Sequence, residues 1–144
     1  MEYIGSMKWD YKACQLIATT DFEEVIPHGP GVYRWSTLSM GIMRIGSSKN
    51  LHQRLWKQHM HSTFYSGEYR LNNDQTSAKI RKFFDTYNID EDIRIEIYHN
   101  PITVYDELLQ KDLIVAPIKD HENYFTEQAT KRGATLCLMT QKKA

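Results

Sequence analysis

The chain lacks any run of about eighteen apolar residues, so we expect no membrane-spanning segment. Residues 1–9 lack the basic stretch and apolar run of a secretory leader, so we expect a cytoplasmic protein without a signal peptide. Cysteine is also scarce: Cys14 and Cys137 are far apart and belong to no Cys-x-x-Cys pair. Two buried, reduced thiols are therefore expected rather than a disulfide.

Several common catalytic and cofactor patterns are missing as well. The sequence has no zinc-ligand spacing, no glycine-rich nucleotide loop and no Ser-His-Asp order to argue from. His59 and His61 are two residues apart, so on a helix they point away from each other and do not form a metal-binding pair.

The net charge is zero, but the charges are distributed unevenly. Eight cationic residues and two acidic residues give the stretch 44–82 a net charge of +6. Residues 83–128 carry −8, while 1–43 carry −2 and 129–144 carry +4. A local basic block is what a polyanion-binding surface needs, whatever the total charge. On charge alone, a solvated surface with helix-borne lysines is an equally good interpretation.

The length predicts one compact domain, with an N-terminal extension at 1–26 and the main body at 27–144. Periodicity and turn residues indicate an α/β (α+β) fold, in which a three-stranded antiparallel sheet is flanked by helices. The predicted strands are 31–36, 41–47 and 92–98. The predicted helical segments are 8–18, 20–25, 50–61, 76–87, 103–114 and 118–131, with a loop at 62–75.

The most informative pattern is Gly31-Val32-Tyr33, then Arg44-Ile45-Gly46, with Arg54 eight residues further on. Glycines at the ends of two short apolar runs let two strands approach closely. A tyrosine and an arginine then come from different elements to a shared surface. This arrangement suits the binding and attack of a phosphodiester.

The stretch from Gly29 to Arg54 resembles the GIY-YIG nuclease family. That family's pattern is Gly-Ile/Val-Tyr, about ten residues, then Tyr-Ile/Val-Gly-x-Ser/Thr-x-Asn/Asp-Leu-x-x-Arg. The resemblance covers about residues 27–135 and includes Glu122-Asn123-Tyr124 in a downstream helix. The sequence departs from the pattern at Arg44, where the family usually has its second tyrosine, and it lacks the family's asparagine near residue 135.

The resemblance implies a phosphodiester-hydrolysing site. Arg54 binds the phosphate with its fork of donors. Glu122 is the ligand of one Mg²⁺ or Mn²⁺ per site. Tyr33 orients or deprotonates the attacking water, while Arg44 binds phosphate or assists Tyr33. His59 is a candidate to contact phosphate or relay a proton.

Double-stranded DNA is the expected partner. Phosphate contacts, which position DNA without reading its sequence, are assigned to cationic side chains: Lys49, Lys57, Arg70, Lys79, Arg81 and Lys82. The aromatic and amide residues of the loop 62–75 are candidates to contact bases, although such a loop more often covers the flank of a core.

The predicted function is that of a metal-dependent DNA endonuclease, favoured as a compact restriction- or phage-type enzyme. Cutting both strands with one centre per chain suggests a homodimer or a higher assembly. Two alternatives stay open: a structure-specific repair or recombination nuclease of the same fold, and a catalytically inactive DNA-binding module.

Overall fold

A computed structural model describes residues 1–59, 75–99, 103–114, 118–134 and 136–138. Its strands are β1 (Glu2–Asp10), β2 (Gln15–Ala18), β3 (Gly31–Thr37), β4 (Gly41–Ser48), β5 (Ile93–Tyr98), β6 (Thr103–Asp106) and β7 (Lys111–Ile114). Its helices are a 3₁₀ turn (Glu23–Val25), the π-type helix α1 (Gln53–His59), α2 (Gln75–Thr86) and α3 (Ile118–Lys131). Within these ranges, no helix has the length and apolar character needed to span a bilayer.

The main sheet has five strands in the order β2-β1-β5-β3-β4, and every neighbouring pair is antiparallel. The predicted α+β class with an antiparallel sheet is confirmed, but the expected number of three strands is wrong. The two additional strands come from the N-terminal segment 1–26, which extends the sheet beyond β5. Strands β6 and β7 pair separately as a hairpin.

The helix predicted at 8–18 is wrong, because this segment contributes to strands β1 and β2. Met7 and Trp9 are buried in the core, whereas Lys8 and Asp10 between and after them are only partly covered. This alternation has the period of two that places successive side chains on opposite faces of a sheet.

The helix predicted at 103–114 is also wrong, because a β-hairpin forms there instead. Leu108 and Leu109 fall in the turn, where they are exposed rather than packed on a helix face. Gln110 has a φ of 51°, a left-handed conformation that a helix does not contain. The helix propensity of the residues in this stretch is therefore outweighed by formation of the hairpin and its turn.

Apart from the segment 20–25, where only the 3₁₀ turn Glu23–Val25 forms, the other predicted elements within the described residues are present in the structure. The strands at 31–36 and 41–47 pair as a hairpin, and the helices at 76–87 and 118–131 form to within a residue at each end. Asn50 caps α1, since its Oδ1 accepts a hydrogen bond from the backbone N of Gln53 at 3.1 Å.

The predictions for α1, for the loop at 62–75 and for the two cysteines have different outcomes. Helix α1 has π-type rather than regular α hydrogen bonding. The segment 60–74, which includes most of the predicted loop, lies outside the described residues. Cys14 and Cys137 are not joined in a disulfide, as expected, but Cys14 is half-buried and Cys137 is exposed, so the expected burial is wrong.

One face of the sheet carries the larger core. Tyr33 and Trp35 of β3 lie on this face beside Ile97 and Ile95, their register partners on β5. Helices α1 and α2 cover it, and Phe84 of α2 stacks on a β1 tryptophan with ring centroids 4.8 Å apart.

The opposite face carries a smaller core under α3. Val32 and Ile45, which alternate with the residues of the first face, pack here against Ala129 and Phe125 of α3. The two faces of the β3–β4 hairpin therefore have different helical neighbours, and each side chain's face determines which helix it meets.

The chain crosses the edge of β4 after α3. Leu136 packs in the smaller core and Leu138 in the larger one. At this crossing, the backbone N of Leu138 donates a hydrogen bond of 2.9 Å to the carbonyl of Met43 on β4. This segment covers part of the β4 edge of the sheet, where exposed backbone groups would otherwise be open to pairing with another strand.

Gly46 lets the ring of Tyr33 lie directly over the backbone of β4. A Cβ at this position would be 2.4 Å from both the Cζ and the hydroxyl oxygen of Tyr33. The two residues are register partners in the hairpin. A side chain at residue 46 and a tyrosine at residue 33 are therefore mutually exclusive in this packing.

We predict that Gly46→Ala destabilises the protein by about 1–3 kcal/mol, because the buried ring of Tyr33 must move to admit the methyl group. Urea denaturation measures this loss. Gly29→Ala is the matched control, since its Cβ would be 3.3 Å from the exposed ring of His99, and it should change stability by less than about 0.5 kcal/mol. Equal stability of Gly46→Ala and the parent would contradict the packing argument.

Candidate functional site

A groove of about 400 Å³ lies where β4 ends and α1 begins. The end of β4 and the turn after it supply polar walls, α1 supplies an arginine, and the first residue of α3 closes one side. The lining residues are Ser47, Ser48, Lys49, Asn50, Gln53, Arg54 and Ile118.

Local hydrogen bonds hold the turn at the floor of the groove. Ser48 Oγ donates to the carbonyl of Asn50 at 2.9 Å and accepts from its backbone N at 3.0 Å. Lys49 is consequently exposed on the turn, and Arg54 lies half-exposed on the first turn of the helix. Two cations therefore border one groove, an arrangement suited to binding an anion.

Glu122 of α3 is bonded to Ser47, one of the residues that line this groove. The hydroxyl of Ser47 donates to its Oε1 at 2.5 Å, and the ammonium of Lys119 lies 2.6 Å from its Oε2. The Glu122 side chain is 8% exposed, while that of Lys119 is 46% exposed. Each oxygen of a buried carboxylate thus has a partner, as burial of such a charge requires.

Tyr33 and Arg44 form a second pair beside β4. Arg44 Nε donates to the hydroxyl of Tyr33 at 3.1 Å, and its Nη1 donates to the carbonyl of Leu138 at 2.9 Å. The guanidinium carbon lies 5.7 Å from the ring of Tyr33 and 5.8 Å from that of Trp35. Among the described residues, no ion pair includes Arg44, so its charge is stabilised by hydrogen bonds and aromatic rings.

The two pairs lie on opposite faces of the sheet. Tyr33 is opposite Gly46 in the hairpin, and Ser47, the next residue on β4, is opposite Val32. Tyr33 and Arg44 belong to the face of the larger core, whereas Ser47 and Glu122 belong to the face under α3. The edge strand β4 is common to both.

The structure therefore brings together only part of the predicted set. Lys49 and Arg54 line the groove, and Glu122 lies behind it, hydrogen-bonded to the lining residue Ser47. Tyr33 is 1% exposed, and Arg44 is 6% exposed beside it on the other face.

The predicted DNA contacts are more widely spread. Lys57 is exposed on α1. Helix α2, which carries Lys79, Arg81 and Lys82, packs over β1. Because β1 is three strands from β4, this is roughly 14 Å across the sheet at about 4.8 Å per strand.

The structure describes little or nothing of the side chains of two predicted residues, His59 and Arg70. The backbone of His59 ends α1, the π-type helix that also carries Arg54. Arg70 lies outside the described residues.

Sequence reasoning assigned no role to Ser47 or Lys119, which hold the carboxylate of Glu122. The signal for Lys119 was present, because it precedes Glu122 by three residues and such residues are neighbours on a helix. Ser47 follows the second glycine of the motif. Its contact with α3 depends on the packing of distant elements, which spacing alone does not provide.

The fold and the groove define a small α+β protein with a cationic groove and a buried carboxylate at one edge of its sheet. Comparisons with protein-family models, curated protein sequences and solved structures found no match to this chain.

We predict that Tyr33→Phe lowers the free energy of unfolding by about 1–3 kcal/mol, because the buried Nε of Arg44 loses its acceptor while the ring packing is kept. Tyr124→Phe is the control, since the Tyr124 side chain is 56% exposed. Urea denaturation of both variants measures the difference. If the two variants lose the same small amount, the hydrogen bond to Arg44 does not stabilise the fold.

Proposed function

We propose that this chain is a metal-dependent DNA endonuclease of the GIY-YIG type. The observation that carries the proposal is that Arg54 and Ser47 line one groove and that Ser47 is hydrogen-bonded to Glu122, which lies 68 positions after Arg54 in the sequence. The resemblance gives these two residues the phosphate-binding and metal-binding roles. Their convergence across different elements is what such a site requires.

The topology around the groove adds support. The motif segments form adjacent strands β3 and β4, and the third strand implied by the resemblance, β5, lies on the other side of β3. Helix α3 then crosses β3 and β4 and places Glu122 beside the end of β4. The N-terminal strands add to this arrangement without separating its parts.

Arg54 is the group we assign to the phosphate. Its guanidinium offers several donors in a fixed plane that match phosphate oxygens. Lys49 adds a second positive charge at the same groove, and both side chains reach solvent. Together they can hold a phosphodiester and offset the negative charge that grows during attack.

Glu122, beside the groove, would be the carboxylate ligand of one hydrated Mg²⁺ or Mn²⁺. Mg²⁺ is usually bound through one or two carboxylates and keeps several waters. Glu122 supplies one carboxylate, and the groove has the volume for waters. The described residues contain no group of three or more His, Cys, Asp and Glu, so a complete protein cage is not part of the proposal. When bound, the ion polarises the phosphate and stabilises the leaving oxygen.

The role expected of Tyr33, orienting or deprotonating the attacking water, stays a prediction. It requires a hydroxyl that reaches the groove, and in the structure that hydroxyl is buried with Arg44 on the opposite face. We therefore assign the phosphate and metal contacts to Arg54 and Glu122. Tyr33 and Arg44 are assigned a structural role, since they pack against β4 from the face of the larger core.

Double-stranded DNA is the proposed substrate, and a homodimer or higher homo-oligomer in the cytoplasm is part of the same proposal. The exposed Lys49 and Lys57 extend the basic surface from the groove along α1.

A restriction- or phage-type enzyme is favoured. A repair or recombination nuclease would instead cut forked DNA and leave a linear duplex without discrete products.

A catalytically inactive DNA-binding module is the second candidate. The observation that favours it is the placement of Tyr33 and Glu122 on opposite faces of the sheet, with both oxygens of Glu122 already bonded. Such a module binds duplex DNA with a strong dependence on salt concentration and does not nick it when Mg²⁺ is present.

We predict that the protein nicks or cuts plasmid DNA with Mg²⁺ or Mn²⁺, and that Arg54→Ala and Glu122→Ala each lower the rate by about a hundredfold or more. The expected size is that of losing one preorganised contact to the transition state. Gel analysis of supercoiled plasmid over time measures the rates.

Matched controls separate the site from general charge effects. Arg132→Ala removes an exposed arginine at the end of α3, and Glu127→Ala removes an exposed carboxylate from the same helix as Glu122. Both should cut at nearly the parental rate. If Glu122→Ala cuts at the parental rate, Glu122 is not the metal ligand. If the parent protein does not cut DNA at all, the DNA-binding module is favoured.

A further inference from the structure

Lys119 and Ser47 hold the two oxygens of Glu122 in different ways. Ser47 is on a strand, and its hydroxyl donates to Oε1 at 2.5 Å. Lys119 is one helical turn before Glu122, and its ammonium lies 2.6 Å from Oε2. The first contact is fixed by the sheet, whereas the second comes from a flexible side chain that is 46% exposed.

We infer that the ammonium of Lys119 competes with a divalent cation for the carboxylate of Glu122 and thereby sets the metal affinity of the site. This inference rests on the proposed function, in which Glu122 is the metal ligand. Lys119 is assigned a positioning role and contacts no reacting atom.

The competition follows from charge and burial. A mostly buried carboxylate needs a cationic or hydrogen-bonded partner on each oxygen. An ammonium and a divalent cation at the same oxygen repel each other, and this repulsion is strong where water is partly excluded. Metal loading therefore requires that Lys119 withdraw from Oε2.

The location of Lys119 makes this withdrawal feasible. Its neighbour Ile118 lines the groove, so the start of α3 borders the space that Arg54 and Lys49 share. The lysine stem has four rotatable carbons and a charged head that can return to water. Ser47 can retain its hydrogen bond to Oε1 while the lysine moves.

The test measures Mn²⁺ binding without DNA, using the electron paramagnetic resonance signal of free Mn²⁺ during titration. We expect Lys119→Met and Lys119→Gln to bind Mn²⁺ about tenfold more tightly than the parent, within the usual range of coupling between two sites. Lys119→Arg should keep the weak parental affinity, because it restores a cation at Oε2.

Lys131→Met is the matched control, since Lys131 is an exposed lysine in the last turn of the same helix, and it should bind like the parent. Circular dichroism confirms that each variant is folded. Equal or weaker Mn²⁺ binding by folded Lys119→Met and Lys119→Gln would overturn the inference. Undiminished Mn²⁺ binding by Glu122→Gln would instead overturn the metal role of Glu122 in the proposed function.

Discussion

The close contact between the ring of Tyr33 and the backbone of Gly46 is the constraint on which the rest of the site depends. It requires these two residues to face each other across the hairpin, and this pairing fixes the register of β3 and β4. A slip of one residue would turn each side chain of β4 to the other face. Ser47 would then leave α3, and Arg44 would leave its aromatic neighbours.

Two buried charges lie along the same edge strand, one on each face, and each is stabilised by different means. The guanidinium of Arg44 lies between aromatic rings and donates to neutral oxygens, so it keeps its charge without a carboxylate among the described residues. The carboxylate of Glu122 has an ammonium and a hydroxyl. The first arrangement favours rigidity, whereas the second contains one partner that can move.

Local patterns predicted those elements whose packing repeats along the chain. The alternation of β5 and the helical spacing of α3 gave the correct structure, because in each the buried residues recur with one period. The segment 8–18 was assigned wrongly because it contains only the last three residues of β1 and the four of β2, and because the turn between them has no glycine. The stretch 103–114 was misread because its residues favour a helix. Arg54 and Glu122 were proposed from the family resemblance. The faces on which Tyr33 and Glu122 lie depend on strand register and helix packing, which a local pattern does not determine.

The passage of the chain across β4 between Leu136 and Leu138 links the end of the described structure to its interior. The backbone of Leu138 supplies both a donor to the edge of β4 and an acceptor to the buried guanidinium of Arg44. Loss of this segment by proteolysis would remove the partner of the Met43 carbonyl at the edge of β4 and an acceptor of the buried Arg44 guanidinium. The same short segment thus shields a stretch of strand edge from pairing with another strand and supplies one of the acceptors that make burial of the Arg44 guanidinium compatible with folding.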